Sequence, residues 1–125
     1  MTKIITTIAI TLAFLSSYVH ATQAQAPQKK LSELTPKELA EHYTSISQGE
    51  DKYTSAVIRC ESNYEPSAKG DYGLANNVGQ FHEETFYMIA RKMGEKLNYD
   101  SYYDQTKAVA WSLANGYGNL WTTLS

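Results

Sequence analysis

The chain has 125 residues, 42% of them hydrophobic and 12% aromatic, with a formal net charge of -2. That is enough for one compact core and too little for two. The slight acidity, with a pI near 5.9, excludes the basic face that grips nucleic acid. A single cysteine, Cys60, excludes an intrachain disulfide.

The N-terminus, MTKIITTIAITLAFLSSYVHATQAQA, sets Lys3 ahead of an apolar run from Ile4 to Leu15 and a small-residue region. This is the pattern of a cleaved secretory signal over residues 1–21. Val19-His20-Ala21 is the expected cleavage site, and Ala24-Gln25-Ala26 is the alternative. The apolar run is short for a membrane span, and threonines interrupt it. The expected destination is therefore the periplasm or the cell exterior. Residues 22–31 are polar, contain Pro27 and read as a flexible spacer. Residues 32–125 are left as the folded domain.

Helical signals then follow one another. Thr35, Pro36 and Glu38 supply an N-cap, a first-turn proline and the third-position acid of a capping box. Leu39, Tyr43 and Ile46 recur at helical spacing behind them, and Gly49 ends the run. A second helix is predicted from near Asp51, with Tyr53, Val57, Cys60 and Tyr64 on its apolar face. On that reading Cys60 is a small buried hydrophobe rather than a nucleophile. Pro66 stops the helix, and PSAKGDYGLANNVG is rich in turn formers. A third helix is predicted over Glu83–Met93, closed by Gly94, and a fourth over Tyr102–Ala114, apolar on most sides and stopped by Asn115-Gly116. No strand pattern is evident, so the expected fold is mainly α.

Glu61 is the residue that needs an explanation. It lies four residues after Val57, at the margin of the apolar face and next to a turn-rich loop. Desolvating a carboxylate is costly, so an acid placed there is either a solvated helix end or a tuned functional group. There is no Cys/His cluster with zinc spacing and no calcium-loop pattern, so neither metal nor organic cofactor is expected.

The stretch CESNYEPSAKGDYGLANNVGQFHEETF resembles the core motif of the soluble-type lytic transglycosylases, relatives of goose-type lysozyme. Glu61-Ser62, Pro66, Ala68, Gly70-Asp71, Gly73, Gln80-Phe81 and Thr85 occur in the order and spacing of that family. AWSLANGYGNLW occupies the place of its terminal Tyr-Asn-Ala-Gly motif. Two departures stand out. Asn77 replaces a glycine of the motif, tolerable because Asn adopts left-handed backbone more readily than most residues. The terminal motif is scrambled, leaving Tyr117 as the nearest counterpart of the tyrosine that contacts the catalytic acid, with Tyr102 and Tyr103 as alternatives.

The resemblance implies a lysozyme-like single domain that cuts peptidoglycan glycan strands non-hydrolytically, as a monomer. It implies Glu61 as the one catalytic group, acid first and base second, which requires a raised pKa. Ser62, Gln80, Phe81 and Tyr117 are the implied substrate-binding residues. Each has a second reading. Ser62 can simply satisfy backbone groups at a helix end. Gln80 can orient its loop. Tyr72, Phe81 and Tyr87 read first as core and second as cleft wall. Asp71 reads first as a turn residue and second as a helper carboxylate for hydrolysis. His82 reads as a groove-rim or surface residue. A hydrolytic muramidase, and a non-catalytic peptidoglycan-binding or scaffold protein of a cell-envelope machine, are the alternative functions.

Overall fold

The computed structural model describes residues 27–121. The expected signal, both cleavage sites and the first part of the spacer lie outside the described residues. The rest of the spacer, residues 27–30, is exposed and without regular structure, and a 3-10 turn at Leu31–Glu33 follows it.

Four α-helices frame the described fold: α1 Pro36–Ile46, α2 Thr54–Ser62, α3 Glu83–Met93 and α4 Tyr102–Ala114. The Thr35 hydroxyl accepts the Glu38 N–H at 3.2 Å, so α1 starts at its predicted cap. Gly94 caps α3 with a left-handed φ of 72°. Helix α4 packs on each of the other three helices. That position explains why it is buried nearly all round, Val109 and Leu113 lying in the core beside Phe86 and Ile89 of α3.

The second helix differs from expectation. A 3-10 turn covers Glu50–Tyr53, and α2 begins only at Thr54. Its buried face is Thr54, Val57, Ile58 and Ser62, while Tyr53 and Cys60 are exposed. The expectation of a buried Cys60 is thus corrected. The true stripe was hidden because two of its members are hydroxyl residues. Thr54 Oγ1 donates to Asp51 O at 2.6 Å and Ser62 Oγ to Ile58 O at 2.9 Å, which lets both fill the core as though apolar. On α1, Leu39 and Ala40 are buried, but Ile46 is 58% exposed, because the helix outruns the core at that end.

A small antiparallel sheet was not expected. Strands β1 Lys69–Gly70, β2 Ala75–Asn76 and β3 Phe81–His82 pair in sequence order, with Gly70 opposite Ala75 and Asn76 opposite Phe81. Strands of two residues are too short to show a two-residue alternation, so nothing in the pattern announces them. Their role is positional: they fold the turn-rich loop back beside the C-terminal end of α2.

Candidate active site

Glu61 stands in the last turn of α2, and Asn63 ends that helix in a left-handed conformation. Beside it opens a cleft of about 550 Å³ whose lining includes Glu61, Asp71, Gln80, His82, Thr85 and Trp121. The elements that build it are the end of α2, all three strands, the first turn of α3 and the C-terminal segment. The Glu61 carboxyl is half-buried. That burial, and secondarily the negative charge of Asp71, push its pKa above the ordinary carboxylate value. The negative end of the α2 dipole acts in the same direction. Asp71 is held in turn by His82, whose Nε2 lies 2.8 Å from Asp71 Oδ2 across the mouth of the cleft.

The loop carrying Gln80 is pinned from several directions. Asn77 has φ 68° and Gln80 φ 51°, so the residue standing where the motif has glycine does adopt left-handed backbone. The Gln80 side chain donates to Ala68 O at 3.0 Å and Asn77 O at 2.8 Å, closing the loop on itself. The single Ser62 hydroxyl proton is shared between Val78 O at 2.8 Å and Ile58 O at 2.9 Å. Trp121 Nε1 donates to Gly79 O at 2.9 Å, and the Gly79 N–H reaches Gln105 Oε1 at 3.3 Å. Tyr99 donates its hydroxyl to Phe81 O. Gly79 is obligatory here, because a Cβ on it would lie 2.8 Å from both Gln105 Oε1 and the Phe81 ring.

The residues singled out in the sequence divide into two groups. Glu61, Gln80 and Phe81 line the cleft together, with Asp71 and His82 at their side. Phe81 is nevertheless 3% exposed, its ring edge-on to Phe86 and Trp121, so it serves as wall and core at once. Ser62 and Tyr117 are not in the lining. Ser62 is buried with its hydroxyl on backbone carbonyls, which makes it a tie between α2 and the Gln80 loop. Tyr117 stacks on Trp111 with ring centroids 5.8 Å apart, and Lys92 Nζ lies 5.6 Å from its centroid. Tyr102 donates to Leu34 O. None of the candidate tyrosines is brought to Glu61.

Leu120 and Trp121 were missed. Both line the cleft, Trp121 buried and Leu120 exposed. The available clue was chemical rather than periodic: a buried indole needs an acceptor for its N–H, and a glycine-rich turn offers carbonyls. Among the described residues, no group of three or more His, Cys, Asp and Glu side chains is placed to hold a metal ion. Nor is any described helix long and apolar enough to cross a membrane. No protein-family model, curated protein or solved structure matches the chain. The chemistry of the cleft therefore carries the functional reading.

Proposed function

We propose that this is a lysozyme-like lytic transglycosylase, exported to the periplasm or cell exterior, that cuts the MurNAc-GlcNAc bond of peptidoglycan. The observation that carries the proposal is the Glu61 carboxyl, half-buried in a cleft wall and made a weaker acid by burial and by Asp71. A shift in that direction, toward the protonated form, is what proton donation to a glycosidic oxygen requires.

In this mechanism Glu61 gives its proton to the glycosidic oxygen as the bond to the anomeric carbon breaks. The acetamido group of the muramic residue shields that carbon, which is how a single carboxylate suffices. The Glu61 carboxylate then takes the proton of the same sugar's 6-hydroxyl, and its oxygen closes the anhydro ring. Glu61 ends protonated again and no water is consumed. Asp71, His82 and Thr85 line the cleft beside it, and Gln80 offers the sugar only its Oε1, because its Nε2 is committed to Ala68 O and Asn77 O.

A second reading, hydrolytic muramidase, is favoured by one observation: Asp71 lines the same cleft and can orient a water. A non-catalytic envelope scaffold is favoured by the cleft lining, which among the described residues includes no tyrosine. Mass spectrometry of sacculus digests separates all three. The lyase releases muropeptides with anhydromuramic ends, the hydrolase releases reducing ends, and both are lost in Glu61→Gln. A wild type that releases no more than Glu61→Gln refutes catalysis.

A further inference from the structure

The turn joining β1 to β2 carries three consecutive residues in left-handed backbone: Asp71 (φ 48°), Tyr72 (φ 58°) and Gly73 (φ 90°). Glycine takes this conformation freely and Asp tolerates it, but a bulky aromatic residue is strained there. Tyr72 recovers none of that cost by packing, because it is fully exposed. Such strain is retained where something outside the fold of the free protein uses it.

The position of the turn says what that is. Gly70 and Asp71, before Tyr72, line the Glu61 cleft. Gly73 and Leu74, after it, line an adjoining recess of about 320 Å³, which shares His82 and Thr85 with the cleft. That recess shares Asn76 and Tyr99 with a third, of about 470 Å³, beyond. Tyr72 thus stands in the turn between residues of the cleft lining and residues of the adjoining recess, its own ring in neither lining and open to solvent. Leu74, 62% exposed, adds a second apolar surface next to it. Neighbouring recesses beside the cleft suit a polymer, and a bare aromatic ring on the turn between two of them suits the C–H face of a sugar ring, which is apolar and flat.

We propose that Tyr72 is a glycan-stacking platform, holding a pyranose ring of the strand on the far side of the turn from the bond facing Glu61. This deepens the transglycosylase reading and rests on it. Tyr72 is a binding residue: it grips the polymer and takes no part in proton transfer.

The test measures binding of uncross-linked glycan strands, prepared from sacculi, to the full chain carrying Glu61→Gln, so that turnover does not interfere. Adding Tyr72→Asn removes the ring and relieves the backbone, since Asn accepts a positive φ. The expected result is binding weakened roughly five- to tenfold, a melting temperature equal to or above that of the parent, and binding within about twofold of the parent for Tyr72→Phe. Unchanged binding in Tyr72→Asn overturns the platform alone. So does a clear drop in its melting temperature, which would make the ring structural. A parent that does not bind glycan strands overturns the transglycosylase reading together with it.

Discussion

The surroundings of Glu61 make its ionisation less favourable than in water, and this has two separable consequences. The first is kinetic. Asp71 contributes a negative charge that raises the Glu61 pKa, so Asp71→Asn lowers it. The acid form then disappears at lower pH, and the basic limb of the pH–rate profile on sacculi moves toward acid. The second is thermodynamic. A carboxyl whose pKa is higher in the folded than in the unfolded chain stabilises the fold fully below its ordinary value of 4.5, and that contribution is lost as pH rises through the folded pKa. Glu61→Gln removes the loss, so it melts above wild type at neutral pH, and the difference closes below pH 4.5. Thermal melts at the two pH values check this. The His82–Asp71 pair is different in kind. Both side chains are exposed, so His82→Ala changes stability by less than about 1 kcal/mol.

The element that matters most is the irregular run from Ala75 to Phe81, held by side chains rather than by its short strands. Gly79→Ala forces a methyl against Gln105 and Phe81, and is expected to destabilise by roughly 1–3 kcal/mol in denaturant titration. Trp121→Phe keeps a ring in place but leaves Gly79 O without its donor, at a cost of about 1 kcal/mol. These interactions also explain what was legible in the sequence and what was not. Helices α3 and α4 could be read with both ends, and α1 with its start, because local signals mark them, such as Thr35 with Pro36, and Gly94; α1 itself ends at Ile46, before the expected Gly49 stop. The left-handed Asn77 was legible for the same reason: it is a property of one residue type in one turn. The buried face of α2 was not, because hydroxyl residues bonded to backbone pass for polar surface. Trp121 bonds to Gly79 and Ser62 to Val78 across 42 and 16 residues of chain, and no periodicity carries such pairings. Tyr117 fits the motif by order alone, and stacking on Trp111 takes it elsewhere.

At the scale of the whole molecule, the cleft is a joint product of distant parts of the chain. Helix α2 supplies the acid, the turns flanking the strands supply Asp71 and Gln80, the first turn of α3 supplies Thr85, and the C-terminal segment supplies Leu120 and Trp121. A domain this small has little stability to spare. Trp121→Ala removes a buried indole, a loss of about 3–5 kcal/mol, which approaches the total stability expected of such a domain. A broad, non-cooperative melt is the outcome to look for.

The two tryptophans of the chain occupy unlike settings, and that supplies a built-in optical reporter. Trp121 forms part of the cleft wall, whereas Trp111 lies stacked on Tyr117 and outside the lining. With Trp111→Phe, the protein fluoresces from Trp121 alone. Sugar entering beside that indole changes the groups packed around it, so the emission intensity changes as the cleft fills, and occupancy becomes readable in a cuvette without labelling either partner.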